Sequence, residues 1–345
     1  MTKLRLFLLS LIIPFIVSCS EEGWEQRSAL TLLPGESIDE YLKREKFKGS
    51  VLVFNKGAIV YSNGLDDSNR ESQQLNDLDT TFRIASITKQ FTAMAIMILH
   101  ERGQLSVDHP VSNYISDYPK GDQILLWHLL THTSGMIRGF QSSPPANDVT
   151  PEELINLFKN APLQSTPGEK YSYSNSGYKL LGYIIEKVSG VPYAEFIQQE
   201  IFAPLNMSRS GFSPNTPSSD NSAQGYLPDN SRVPAQNMSL AYSGGGLISS
   251  INDLYKWDRA LYTDQLVSYE TLNKIFTPYL NNYGYGWLIL ESNGDKVQRH
   301  GGALAGFSSL IVRTPEQDRV IILLSNEHMV PVNGIARNLL QLITQ

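Results

Sequence analysis

The 345-residue chain predicts an α+β fold, and three observations lead to that prediction. Runs typical of β-strands lie near both ends of the chain, the middle is mostly helical, and a helix accompanies each terminal set of strands. Strands from both chain ends are most simply joined in one antiparallel sheet, with the terminal helices on one face and the helical middle as an inserted lobe. A ligand cleft is expected between two such lobes.

The individual elements follow from periodicity and turn residues. Residues 36–47 predict a helix, and residues 50–54 and 58–61 predict a hairpin because Asn55-Lys56-Gly57 separates them. A short strand at 82–85 leads into the most apolar helix, which ends near Gly103. Further helices are predicted at 124–130, 151–159, 177–188, 193–202 and 251–262, strands at 285–290, 297–300, 308–313 and 320–325, and a last helix at 332–343. The polar residues 213–237 predict a long surface loop.

Composition excludes several classes of protein. The hydrophobic share of 41% argues against disorder, and the net charge of −6 argues against a nucleic-acid binder. A single cysteine, Cys19, can form neither an intramolecular disulfide nor a cysteine-rich metal site. We therefore expect a globular enzyme without a cofactor.

The first residues predict export. Lys3 and Arg5 precede an apolar run at 6–17 that is too short to span a membrane comfortably. Residues 16–19 resemble a bacterial lipobox, in which the signal is cut before a cysteine that becomes lipidated. We expect a signal peptide at 1–18, a tether at 19–33 that starts at lipidated Cys19, and a catalytic domain of two lobes at 34–345, anchored in the cell envelope. An ordinary signal peptide with a free thiol is the alternative.

Two Ser-x-x-Lys pairs are candidates for nucleophilic catalysis. On a helix, positions i and i+3 share a face, so a lysine amine can reach a serine hydroxyl and take its proton. Ser86 and Lys89 open the most apolar helix, where the free N–H groups of the first turn favour negative charge. Ser176 and Lys179 have the same spacing, but Lys179 could face either way. Most such pairs are a helix cap followed by a solvated lysine.

Two polar turns add further candidates. Tyr173-Ser174-Asn175 carries a phenol that can relay a proton and an amide that can orient a carbonyl, although Ser and Asn are also ordinary helix caps. His300-Gly301-Gly302 ends a predicted strand, where glycines permit close approach and a backbone N–H can face an oxyanion. A simple glycine turn is the alternative for the second motif.

The order Ser-x-x-Lys, Tyr-x-Asn, His-x-Gly resembles the serine β-lactamase and penicillin-binding protein superfamily, and within it the class C β-lactamases, D,D-peptidases and related esterases. The resemblance runs from about Phe47 to the C-terminus and includes residues 84–92 and 129–135. It implies a β-lactamase/transpeptidase-like fold and an acyl-serine intermediate. It also implies that Ser86 is the nucleophile, and that Lys89 and Tyr173 transfer protons.

The resemblance implies further roles for the remaining motif residues. The backbone N–H groups of Ser86 and Ala303 would form the oxyanion hole, while Asn175, Gly301 and Gly302 would contact substrate. His300 stands where class C β-lactamases carry lysine, so efficient β-lactam hydrolysis is in doubt.

Two hypotheses follow from these residues. The first is a lipoprotein serine hydrolase acting on a D-amino-acid peptide, a β-lactam or an ester. The second is a penicillin-binding sensor or scaffold with little turnover. A metal at His128 and His132 is disfavoured because the stretch lacks the metalloprotease glutamate.

Overall fold

The computed structural model describes residues 30–215, 221–292 and 294–344, and its centre is a six-stranded antiparallel sheet. The strands of this sheet are β1 (Gly49–Asn55), β2 (Ala58–Leu65), β8 (Leu288–Ser292), β9 (Asp295–Leu304), β10 (Phe307–Thr314) and β11 (Arg319–Ser325), in the order β2-β1-β11-β10-β9-β8. The first strand therefore pairs with the last, and the predicted sheet built from both ends of the chain is confirmed.

Both faces of this sheet are covered, and alternate residues of one strand belong to different hydrophobic cores. Val51 and Val53 pack with the terminal helices α1 (Ile38–Arg44) and α10 (Val332–Leu342). Leu52 and Phe54 belong to the larger core, which includes the helices of the middle of the chain. Burial on both faces explains why β1, β10 and β11 read as continuous apolar runs.

The middle of the chain is helical, as predicted. Its helices are α2 (Thr88–Glu101), α3 (Leu126–Leu130), α4 (Pro151–Asn156), α5 (Asn175–Ser189), α6 (Tyr193–Ile197), α7 (Tyr242–Gly245), α8 (Ile251–Ala260) and α9 (Tyr269–Ile275). Five short strands in the described residues accompany them: β3 (Asp67–Asn69), β4 (Gln74–Leu75), β5 (Phe82–Arg83), β6 (Gly211–Phe212) and β7 (Leu247–Ser249). Strand β3 pairs with β4, and β7 lies between β5 and β6. Ser86 thus lies where β5 leads into α2.

Several elements differ from the sequence prediction. The short helices α7 and α9 were not predicted; α9 begins after Ser268, whose hydroxyl accepts the N–H of Thr271. The predicted helix at 193–202 changes to a wider π-type turn after Ile197. Strand β9 extends four residues beyond His300, because β10 folds back against its end. In the described residues no helix has the length and apolar character needed to cross a membrane. The predicted signal peptide and Cys19 lie outside the described residues.

Candidate active site

Ser86 lies on a single 3₁₀ turn, Ala85–Ile87, that joins β5 to α2. Ala85 has a φ of 47°, an unusual conformation for a residue with a side chain. The turn is held against β10, since the hydroxyl of Ser309 donates to the carbonyl of Ile84 at 2.9 Å. A Cβ on Gly302 would come within 2.2 Å of the same carbonyl, so only glycine allows this contact. Ser86 itself stays partly exposed.

Lys89 is completely buried, and its ammonium is directed at the serine. Its Nζ donates to Ser86 Oγ at 3.1 Å, to Asn175 Oδ1 at 2.9 Å and to the carbonyl of Gly244 at 2.6 Å. A lysine ammonium has three N–H donors, so these three acceptors match its capacity and fix its position. The arrangement keeps a nitrogen base within proton-transfer distance of the hydroxyl.

Tyr173 lies beside this lysine among cationic and aromatic groups. The centre of its ring is 5.0 Å from Lys89 Nζ and 5.1 Å from the guanidinium carbon of Arg138. The ring of His132 is 4.1 Å from that of Tyr173, centre to centre. The Lys89 ammonium thus lies over the ring of Tyr173, within the distance of a cation–π interaction.

His300 is buried, and both of its ring nitrogens are engaged. Nδ1 lies 2.8 Å from the carbonyl of Gly301, so this nitrogen carries the proton, because a carbonyl can only accept. Nε2 therefore accepts from the hydroxyl of Tyr283 at 2.8 Å. Burial, and then the positive charge of Lys89, lowers the pKa of His300 to about 3. The imidazole is neutral at physiological pH.

His132 is the second buried imidazole of the site and not a metal ligand in a helix. Helix α3 ends at Leu130, and His132 has a φ of 58°, so His128 and His132 do not share a helical face. The Nδ1 of His132 accepts the N–H of Ser174 at 3.0 Å. Burial, and then the charge of Lys89, holds its pKa well below the usual value. The described residues contain no group of three side chains suited to hold a metal ion.

The direction of the backbone N–H of Ala303 follows from strand register. Leu304 pairs with Phe307 across a two-residue turn, so these two residues form a hydrogen-bonded pair. The next pair, Ala303 with Ser308, is therefore a non-hydrogen-bonded pair. In such a pair the backbone N–H groups point away from the partner strand. Pairing with β8 reaches only as far as Arg299. The N–H of Ala303 therefore points away from β10, to the edge of β9 that β8 leaves unpaired at this position.

Several site residues were not singled out by sequence reasoning. Gly244 belongs to a glycine-rich run at 243–246 that matches no catalytic motif, and its role here is that of a carbonyl acceptor. Tyr283 and Arg138 carry no motif, and nothing in the sequence separates them from other tyrosines and arginines. His132 lies in the segment 129–135, which the resemblance already covered.

The chain also resembles known proteins over most of its length. A family model described as Beta-lactamase matches residues 36–344. PbpX of Bacillus subtilis (strain 168), described as a penicillin-binding protein, is 32% identical over 315 residues, which are 90% of this chain and 78% of the relative. The penicillin-binding protein from Bacillus halodurans has a TM-score of 0.82 at 27% identity, covering 89% of this chain and 99% of that one.

A further solved structure carries a different name. The D-amino acid amidase from Ochrobactrum anthropi SV3 has a TM-score of 0.76 at 25% identity, and the match covers 89% of this chain and 98% of the amidase. The Beta-lactamase family model covers residues 36–344, which is nearly all of the described chain. The chain therefore belongs to the beta-lactamase family of serine hydrolases.

Proposed function

We propose that the protein hydrolyses amides or esters of D-amino acids through an acyl-serine intermediate on Ser86. The observation that carries this proposal is the buried Lys89 ammonium, hydrogen-bonded to the hydroxyl of a partly exposed serine. In its neutral form Lys89 accepts the proton of Ser86 as Oγ attacks the substrate carbonyl, and the proton then passes to the leaving group. Tyr173 shares this transfer and, in the second half-reaction, serves the attacking water.

Backbone and amide groups complete the proposed site. The N–H groups of Ser86 and Ala303 stabilise the oxyanion of the tetrahedral intermediate. Asn175 directs its Oδ1 to Lys89, which leaves its Nδ2 as a donor for a substrate carbonyl. Gly301 and Gly302 keep the strand edge open for the substrate backbone.

The substrate class is proposed from the neutral His300 and from the named relatives. A buried, uncharged imidazole offers no cation to a carboxylate beside the scissile bond. Substrates whose leaving group is uncharged therefore suit this site better than β-lactams, which carry a carboxylate there. The D-amino acid amidase among the similar structures agrees with a substrate that carries a D-residue.

The test is a hydrolysis panel on the full chain: D-aminoacyl amides, D-alanyl-D-alanine peptides, short-chain esters and nitrocefin. We expect turnover of amides or esters and slow turnover of nitrocefin, with a fluorescent serine-hydrolase probe bound to Ser86. Ser86→Ala is the matched control and should lose both activities. Probe labelling without turnover of any substrate would favour the alternative, a penicillin-binding sensor or scaffold. A folded protein without labelling would contradict both.

His300→Lys tests the charge argument. A cation at this position should raise β-lactam acylation relative to ester cleavage by roughly tenfold, since one close charge pair contributes on the order of 1.4 kcal/mol or more. The ratio of the two acylation rates is measured by stopped-flow absorbance. His300→Gln, which adds no charge, is the control and should leave the ratio near the wild-type value. An unchanged ratio in His300→Lys would show that charge at this position does not select the substrate.

We also propose that the protein is held at the envelope membrane by lipid on Cys19. Several acyl chains on one residue anchor a protein stably, since each buried CH₂ contributes about 0.8 kcal/mol. Labelling of cells with radioactive palmitate should mark the protein, and Cys19→Ser should abolish the label. Label that persists in Cys19→Ser would contradict the proposal.

A further inference from the structure

A cavity of about 220 Å³ is lined by residues of β5, of β10 and of the segment 224–235. Two arginines, Arg83 and Arg232, contribute to its wall together with Gln224, Phe307 and residues 233–235. None of the described residues that line it is acidic, although the whole chain carries six more acidic than basic side chains. A volume equal to about seven water molecules accommodates a small side chain with a carboxylate.

Arg83 is buried, and the hydrogen-bond partners of its guanidinium within the described residues are all neutral. Its guanidinium donates to Ser213 Oγ and Gln236 Oε1 and to the carbonyls of Pro214 and Asn215. Four of its five N–H donors are used, and one on Nη1 remains within the described part of the chain. Burial lowers the pKa of Arg83 to about 10.

Arg232 supplies the second charge from an exposed position on the loop. Glu71 does not line the cavity. Its pKa is lowered chiefly by the hydroxyl of Tyr226 and also by the charge of Arg232. An anion in the cavity would therefore meet two positive charges and no lining acid.

The cavity is close to the reaction centre. Arg83 precedes Ser86 by three residues, so their Cα atoms are at most about 11 Å apart. Phe307 pairs with Leu304, the residue after Ala303, at a spacing between strands of about 5 Å. A group in the cavity is thus within reach of an acyl chain of two or three residues on Ser86.

The two ends of the site face different parts of a substrate. Tyr173 lies by His300, with 6.5 Å between ring centres, whereas Phe307 is level with Leu304, about 13 Å further along β9. The leaving group must lie on the Tyr173 side, because the group that protonates it has to be within hydrogen-bond reach. The acyl part then extends toward Phe307 and the cavity.

We propose that Arg83 and Arg232 bind a carboxylate carried by the acyl part of the substrate. This proposal rests on the proposed function and adds the substrate class: D-aminoacyl compounds with an acidic group on the N-terminal side of the scissile bond. Arg83 has a second role, because its hydrogen bonds to residues 213–215 also connect that segment to β5.

The test compares two substrates that differ only in that charge: N-succinyl-D-alanine p-nitroanilide and its neutral succinamyl counterpart. For the wild-type full chain we expect kcat/KM to be about tenfold higher for the acid, the effect of one close charge pair. Arg232→Glu should remove or reverse the preference. Lys56→Glu makes the same change of charge at the opposite end of the sheet, where Asn55 pairs with Arg319, and should keep the preference. Arg83→Lys should weaken the preference, provided that the variant folds.

A wild-type ratio of one or less would overturn the proposal, as would equal effects of Arg232→Glu and Lys56→Glu. Binding to Ser86→Ala, measured by calorimetry, separates this proposal from the proposed function. If the wild type hydrolyses neither compound but Ser86→Ala binds the acid at least fivefold more tightly than the amide, the cavity proposal stands without the hydrolase proposal. Equal affinity for the two compounds would overturn the cavity proposal.

Discussion

The chain contains two Ser-x-x-Lys pairs, and the structure gives them different surroundings. Lys89 donates to Ser86 at 3.1 Å, and Ser86 is partly exposed at the start of α2. Ser176 is fully buried and donates to the carbonyl of Gly139 at 2.6 Å. Ser176 and Lys179, both within the described residues, make no hydrogen bond to each other. The same spacing therefore gives a candidate nucleophile in one helix and a packing contact in the other.

The two lysines differ in their acceptors more than in their burial. Lys89 has Asn175 Oδ1 and the Gly244 carbonyl beside the serine. Lys179 places its ammonium 3.9 Å from the centre of the Phe140 ring, and burial lowers its pKa to about 7. An ammonium over an aromatic face gains some electrostatic stabilisation, but it gives the lysine no hydroxyl to deprotonate. Proton transfer requires an acceptor geometry that the motif alone does not provide.

The largest expected difference between the pairs lies in the serines. Ser86→Ala should lower the rate of acylation at least 10³-fold, because the attacking oxygen is absent. Ser176→Ala should keep that rate within about threefold and lower the free energy of unfolding by about 1–3 kcal/mol, since the carbonyl of Gly139 loses its donor. Mass spectrometry of the acyl-enzyme and urea denaturation measure the two effects. Equal loss of acylation in both variants would show that the second pair also takes part.

Substitution of Lys89 should also slow acylation more than substitution of Lys179, but the difference should be smaller than that between the two serines. Lys89→Met should slow acylation by roughly 10²- to 10⁴-fold, the usual contribution of a general base. Lys179→Met preserves the volume of the side chain and should change acylation less than threefold. Probe labelling followed over time measures both rates. A large loss in a folded Lys179→Met variant would overturn the distinction drawn between the two pairs.

The smallest expected effect is a pH dependence of stability that comes from Lys179. Its folded-state pKa of about 7 lies below the value near 10.4 of an unfolded lysine, so between these limits only the unfolded state holds the proton. The free energy of unfolding should therefore rise with pH from 7 to 10, by at most about 1.4 kcal/mol per pH unit from this group. The loss of stability that comes from burying the charged Lys179 side chain is fully present below pH 7.

Urea denaturation at pH 6.5, 8 and 9.5 measures this slope. Lys179→Met should remove most of the contribution, whereas Lys170→Met, which changes an exposed lysine, should not. Parallel stability curves for the wild type and Lys179→Met would contradict the assignment.

Much of the fold was predictable because its signals are local. Apolar runs at both chain ends predicted the sheet, and helical spacing after Ser86 predicted α2. The unpredicted helices α7 and α9 have four and seven residues, too few for periodicity to distinguish them from a loop. Strand β9 extends beyond His300 because residues 301–304 pair with β10. The sequence did not predict this extension, since glycines at 301 and 302 are more typical of a turn than of a strand.

By itself, the sequence determined the fold class, the family resemblance and the i, i+3 contact between Ser86 and Lys89, because each depends on neighbouring residues or on ordered motifs. The resemblance already selected Ser86 and Lys89 over Ser176 and Lys179, and only the tertiary structure decided which groups surround each pair. The deciding acceptors, Asn175 and Gly244, are 86 and 155 residues from Lys89 in the chain. The neutral state of His300 and the charge of the Arg83 cavity also depend on burial by distant elements. Burial and long-range hydrogen bonds are properties of the packed chain, and no local pattern encodes them.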